Sequence, residues 1–522
     1  MAVNPSTLEF QKYNPPSSKE IERISKCLGF QLNEDELHVY QEQIASSLSS
    51  SYERLRELPD PKLPVKYPRD PGYRPAANEN PFNAWYWKCE VKGAKQGKLH
   101  GRTVVLKDSI CLAGVPMMIG SRVLEGYIPE MDASVVTRVL DAGGTIVGKA
   151  VCEDLCWSAA SYTSATGPVR NPHDETRMTG GSSSGCAALL AAGLVDMAIG
   201  GDQGGSIRIP ASRCGIVGLK PTHGLVPYTG AFSLEPSIDH LGPMARTVYD
   251  VALLLEVIAG YDGGRDARQS LQVDQDICYT EKLKDGISGL RVGILKEGFE
   301  HKKLEHDVDD MVRQAAQQLA LLTGVPMKEI SVPMHKDGVA ISTAISDFGI
   351  WKSLFNGKCI GTSDKSYQIT SLHQALQKGI KARANEMSED AKLTAITGKY
   401  LHDQGQYLLL SKARNLGRML EEEYDEALQN VDVLVLPTTP MKAKPIPPST
   451  STLRDRLNLL KEHSGNCPFN ITGHPAVSIP VGLSQGLPVG MLVVGRKFDE
   501  STILRVAYAL EKTRVGSIEP RK

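Results

Sequence analysis

The residue types with the most chemical potential crowd into one segment, Gly180 to Thr222, reading GGSSSGCAALLAAGLVDMAIGGDQGGSIRIPASRCGIVGLKPT. Gly180 and Gly181 permit a turn with positive φ, and Ser182 to Ser184 can cap a helix. Cys186 to Ala192 is a small-residue helix able to pack closely, and Met197 to Gly201 reads as a short buried strand. Asp202-Gln203-Gly204-Gly205-Ser206 follows as a loop whose two glycines let several backbone N–H groups turn towards one point; from Ile207 a short helix begins, with Pro210 in its first turn. Such a nest can hold an oxyanion. The same residues also satisfy a plainer reading, because glycine-rich turns mostly just turn and serines at helix starts mostly cap.

A second pattern overlaps the first. Gly181-Ser182-Ser183-Ser184-Gly185 fits the Gly-x-Ser-x-Gly nucleophile elbow with Ser183 at its centre. That motif needs a strand immediately before it. Asn171 to Thr179, with Pro172, His173, Asp174, Glu175 and Arg177, reads as a loop instead, which disfavours the elbow.

The whole run from Gly180 to Thr222 resembles the serine- and glycine-rich signature of the amidase signature family. Gly101 to Asp108, GRTVVLKD, resembles the strand that delivers the family's catalytic lysine, and Gly148-Lys149-Ala150 with Glu153 resembles a further block. Asp239 to Thr247 and Asn470 to Pro475 also fit, so the resemblance covers about residues 99 to 510. It implies Ser206 as nucleophile, Ser182 as a bridging serine on an unusual cis peptide bond, and Lys107 as base. It further implies an oxyanion hole from the backbone N–H groups of Gln203, Gly204, Gly205 and Ser206, with Ser183 as a supporting partner. Ser184 departs from the pattern, since many relatives have glycine there. Asp202 and Arg208 are read as orienting the loop rather than reacting. The wording around Val115-Pro116-Met117 and Gly200 to Gln203, with the helical extension, resembles most the enantioselective amidases of bacterial nitrile degradation.

These assignments make chemical sense. A serine hydroxyl needs a base, and none of the 12 histidines stands in a motif that marks it as one. Lysine serves only in its neutral form, which burial favours. Lys107 ends the apolar run Thr103 to Leu106, although a strand-end lysine can also reach for solvent. The expected reaction is attack on an amide carbonyl, an acyl-enzyme, and release of ammonia or an amine and then the acid. Trp157 and Tyr162 are candidates to line an acyl pocket, and aromatic residues serve equally as core. No two histidines lie four apart and no Walker loop occurs, so no metal, nucleotide or other cofactor is expected.

The elements that must position these groups follow an α/β text. The expected fold is the amidase signature fold, a mixed central β-sheet sandwiched by helices, with an N-terminal helical extension and an inserted small helical subdomain. Residues 1–90 carry helical patterning ending in the prolines Pro59 to Pro71; 91–335 hold the first part of the core; 336–430 are polar and helical, the small subdomain; 431–522 complete the sheet. Strand-like runs are Thr103 to Leu106, Thr145 to Val147, Val292 to Leu295, Val433 to Leu436, Val477 to Val481 and Val489 to Val494. At 522 residues the chain exceeds the roughly 250 to 300 that one core usually serves.

Composition narrows the partners. With 59 basic and 60 acidic residues the net charge is -1, which lacks the electrostatic footprint of a nucleic-acid binder. The opening residues carry no apolar leader and no long apolar run follows, so no membrane partner and a cytoplasmic setting with reduced thiols are expected. Cys152 and Cys156 are spaced as one helix face rather than as a redox pair. The expected partner is a small-molecule amide, and the resemblance to dimeric relatives implies a homodimer. Two alternatives stand beside the free amidase: the glutaminase component of the tRNA-dependent amidotransferase, and a catalytically silent binding protein on the same fold.

Overall fold

Strands in which successive residues face opposite ways account for the main body of the protein. The computed structural model describes residues 14–271, 273, 278–357, 365–460 and 465–513. They fall into two compact units, one ending at Pro64 and the other beginning at Val65.

In the first unit, helices Ser18–Cys27 and Glu34–Ser47 each open with a capping box, Ser17 with Glu20 and Asn33 with Glu36. A wider turn at Leu48–Tyr52 leads into helix Glu53–Glu57. Ile21 is buried, whereas Ile24, Leu28, Val39 and Tyr40 are exposed.

In the second unit the strands are β1 (Trp85–Lys92), β2 (Thr103–Lys107), β3 (Thr145–Ala150), β4 (Arg170–Asn171), β5 (Asp174–Met178), β6 (Met197–Asp202), β7 (Val217–Lys220), β8 (His240–Ala245), β9 (Val292–Leu295), β10 (Lys328–Ile330), β11 (Val433–Pro437), β12 (Ala476–Ser484) and β13 (Leu487–Val494). Eleven of them form one sheet in the order β1-β3-β2-β6-β8-β7-β12-β13-β11-β9-β10, while β4 and β5 make a separate hairpin. β2 runs parallel to β3 and β6, and β9 parallel to β10 and β11; the remaining pairs are antiparallel. The sheet is therefore mixed and helices flank it, as the sequence predicts.

Two apolar cores lie on opposite faces. Val104 and Leu106 of β2, with Met197 and Ile199 of β6, enter the larger core beside helices Ser134–Asp141, Val248–Ile258 and His306–Thr323. Val105 and Ala198 enter the smaller one, against helix Ser184–Ala191. Every residue of that helix is buried, which suits its small and apolar sequence. At Gly185 a Cβ would come within 2.4 Å of the carbonyl of Ala84, so only glycine allows this approach.

Three elements depart from the sequence reading. Residues 85–92 form the edge strand β1 rather than helix, because Trp85, Tyr86, Cys89 and Val91 bury against β3. Residues 174–178 form β5, so a short strand does precede Gly180. Cys152 and Cys156 share no helix; Asp154–Cys156 is a tight turn that sets their sulfurs 3.7 Å apart. Between β10 and β11 the described chain is helical, chiefly Gly338–Ile350, Thr370–Arg383, Glu389–Asp403 and Leu408–Asn430. On the last of these Leu420, Tyr424, Ala427 and Leu428 are buried along one face, while Met419 is exposed. Among the described residues no helix is long and apolar enough to cross a membrane.

Candidate active site

Strand register brings the lysine to the serines. Counting along β2, Val105 faces the smaller core and Leu106 the larger, so Lys107 turns to the side of helix Ser184–Ala191, just behind which Ser182 stands. Lys107 is fully buried, and its Nζ donates to Ser182 Oγ at 2.7 Å and to the carbonyl of Gly201 at 3.1 Å. The Gly181–Ser182 peptide bond is cis. Ser183 is buried too: its Oγ donates to the Gly201 carbonyl at 3.2 Å and accepts from the Gly201 N–H at 3.3 Å, and its own N–H donates to the Ser206 carbonyl at 3.1 Å. Both sides of Ser183 are thus engaged in tying the serine turn to β6 and to the Ser206 loop. It does not stand exposed as an elbow nucleophile would, although β5 supplies the strand that motif requires.

Ser206 is half-buried and lines a cavity of about 420 Å³. Its hydroxyl and that of Ser182 are not hydrogen-bonded to each other. Behind the loop sits a clamp that the sequence only hints at. Asp202 is fully buried; its Oδ1 accepts from the N–H of Gly205 at 2.7 Å and its Oδ2 from that of Ile207 at 3.0 Å. Arg208, equally buried, forks onto the same carboxylate through Nε at 3.0 Å and Nη2 at 2.9 Å. Asn470 donates to Oδ1 at 2.8 Å and accepts from Arg208 at 2.6 Å, and Arg208 also donates to the carbonyl of Asn466 at 3.0 Å. Burial alone would raise the Asp202 carboxyl, but Arg208, Asn470 and the backbone donors outweigh it and hold it well below the usual carboxylate range.

This clamp corrects one expectation. The N–H of Gly205 is spent on Asp202 and is not free for an oxyanion, whereas those of Gln203, Gly204 and Ser206 take no partner among the described residues. Gly205 instead supplies the backbone turn, at φ +126°, where a Cβ would strike Ile209 at 2.7 Å. Glu153 holds the other flank. Its carboxylate accepts from Ser184 Oγ at 2.9 Å and from Thr163 N and Oγ1 at 2.9 and 2.7 Å; burial raises its pKa in spite of these bonds.

The aromatic candidates separate. Trp157 lines the cavity with its neighbours Cys156 to Ala159. Tyr162 does not; its hydroxyl donates to the carbonyl of Arg456 at 2.9 Å, which ties this loop to helix Leu453–Leu460. The opposite wall has no counterpart in the sequence reading. It comes from Gly338–Ile350 and Glu389–Asp403 and includes Asp347 and Asp390. Their sequence surroundings look like ordinary polar helix, and no local motif marks them.

Comparison with known proteins agrees with this architecture. The family profile described as Amidase matches residues 82–504. An enantioselective amidase of Rhodococcus rhodochrous is 42% identical over 500 residues, 94% of this chain and 95% of that protein. A component of the glutamyl-tRNA(Gln) amidotransferase of Methanosarcina mazei is 36% identical over 430 residues, 81% of this chain and 86% of the relative. Among solved structures, the peptide amidase of Stenotrophomonas maltophilia superposes with a TM-score of 0.64 at 28% identity, covering 80% of this chain and 83% of that one. Since the profile spans most of the sequence and a close relative matches nearly end to end, this chain belongs to the amidase signature family, hydrolases that act on amide C–N bonds.

Proposed function

We propose that the chain is a free-standing amidase in which Ser206 attacks the amide carbonyl, Ser182 relays the proton and Lys107 receives it. The observation that carries this reading is the fully buried 2.7 Å contact between Lys107 Nζ and Ser182 Oγ, behind a cavity that Ser206 lines. Ser206 Oγ closes onto Ser182 Oγ once substrate is bound, since catalytic hydrogen bonds commonly tighten only in the complex. The tetrahedral oxyanion takes the free N–H groups of Gln203, Gly204 and Ser206. As the C–N bond breaks, the proton returns from Lys107 through Ser182 to the leaving nitrogen, and ammonia or an amine departs. Water, deprotonated through the same relay, then attacks the acyl-enzyme and releases the acid.

The near full-length similarity to an enantioselective amidase supports a chain that works alone. The similarity to the glutamyl-tRNA(Gln) amidotransferase component favours a second reading, a glutaminase that hands its ammonia to a partner. We also infer a homodimer built through the N-terminal unit, where Leu28, Phe30, Val39, Tyr40, Tyr52 and Leu55 are exposed by 50% or more. Purified protein incubated with simple amides and no partner or ATP separates the two enzymes. Turnover supports the amidase; dependence on a partner supports the glutaminase. Fluorophosphonate labelling tests the nucleophile: the adduct is expected on Ser206 and absent from Ser206→Ala, and an adduct on Ser183 would overturn the assignment.

A further inference from the structure

The cavity in front of Ser206 is walled by carboxylates whose charge no described lining residue answers. Asp347 and Asp390 face it from two helices, and the described lining residues include no lysine, arginine or histidine. Among the described residues, the nearby charged groups are committed elsewhere. Arg456 pairs with Glu389 at 2.9 Å, and Lys392 donates to the carbonyl of Asn385 at 2.8 Å. Glu153 is held by Thr163 and Ser184, and Asp154 accepts from the N–H of Ser388 at 2.6 Å. Burial accordingly pushes Asp347 up to about 6. Burial, together with the charges of Glu389, Asp347, Glu153 and Asp154, pushes Asp390 to about 7.

We propose that the acyl part of the substrate carries a protonated amine, held by Asp347 and Asp390 on the wall of this cavity. A neutral occupant would leave two carboxylates on one wall of the cavity without a counter-charge; a cation with several N–H groups answers both. The inference rests on Ser206 as nucleophile and names the substrate class for that site.

The test uses the full-length enzyme and a short series of ω-aminoalkanamides, each matched with the n-alkanamide in which methyl replaces the ammonium. The best amino substrate is expected to exceed its match in kcat/KM by about tenfold or more. In the near-isosteric Asp347→Asn, Asp390→Asn double variant that ratio falls about tenfold, because shape is kept while charge is lost. A ratio at or below one in the parent, or one unmoved by the double substitution, overturns the cation site. Fluorophosphonate labelling of the same samples separates the two failures. A labelled Ser206 without cation preference sinks the specificity alone, and an unlabelled Ser206 sinks the nucleophile and the specificity with it.

Discussion

Asp202→Asn is the substitution that most directly tests how the nucleophile loop is held. The carboxylate accepts two backbone N–H groups, two guanidinium bonds and one amide bond, all in a fully buried site. Asparagine removes the charge and turns one of the two acceptor atoms into a donor. Whichever way its amide is set, an NH₂ then meets N–H groups, either of Gly205, Arg208 and Asn470 or of Ile207 and Arg208. Arg208 is left as a buried cation without a counter-charge, a situation that costs about 3 to 5 kcal/mol when one partner of a buried pair is removed. Because the loop also aims the free N–H groups of Gln203, Gly204 and Ser206, losing one oxyanion donor's geometry should lower kcat by about 10² to 10³. The Asp202 carboxyl lies below its ordinary range, so its contribution is fully present above about pH 4 and is lost only as pH falls towards the folded value. Urea unfolding at neutral pH and amide kinetics give both numbers. Asp202→Asn with Arg208→Met should recover part of the stability, since it removes the stranded charge, yet not the activity. A single variant within about 1 kcal/mol of the parent, or a double variant as weak as the sum of its parts, would refute the coupled-clamp argument.

Replacing Lys107 with alanine removes the base and the acid that protonates the departing nitrogen, so amide hydrolysis should fall by about 10² to 10⁴ and a matched ester with a good leaving group by distinctly less; equal losses in parallel assays would make Lys107 structural. The preference for ammonium-bearing substrates should rise with pH, because Asp347 near 6 and Asp390 near 7 bind a cation only when ionised, with Glu389, Asp154, Glu153 and Arg456 as the surrounding charges. The substrate amine stays protonated to about pH 10, so a ratio of kcat/KM values that is flat from acid to neutral pH contradicts this. Deleting residues 1–64 should leave triad labelling intact and reduce the particle from dimer to monomer by light scattering; an unchanged assembly state removes the dimer role from this unit.

Local structure was more legible in this sequence than tertiary geometry. Gly180 to Thr222 announces its strand, turn and helix because glycine and serine are used there for backbone reasons that act locally. The strand runs with β-branched alternation read correctly for the same reason. β8 did not, since Gly242 and Pro243 argue against a central strand, yet His240–Ala245 lies between β6 and β7, with Pro243 opposite Ile199. β1 was hidden because Trp85-Tyr86-Trp87-Lys88 lacks the apolar–polar alternation of a half-buried strand. The use of Gly205 N–H was equally out of reach: nothing in Asp202-Gln203-Gly204-Gly205-Ser206 says that the first residue consumes the donor of the fourth. Asp347 and Asp390 become significant only when two helices from the stretch between β10 and β11 turn them to one cavity. That is tertiary information, with no local trace.

The clamp explains why the signature of this family extends so far beyond its serines. Arg208 joins the loop to Asn466 and Asn470, more than 250 positions later, and those asparagines reach it because β12 pairs with β7, seaming the C-terminal strands to the first half of the sheet. Lys107 arrives through β2, parallel to β6, whose last residue is Asp202. One strand thus ends in the clamp, its neighbour ends in the lysine, and the serine turn spans the gap through Ser183 and Gly201. A hydroxyl at Ser206 has direction only when all three are in register, so the geometry of the candidate site is a property of the assembled sheet and not of the glycine loop by itself.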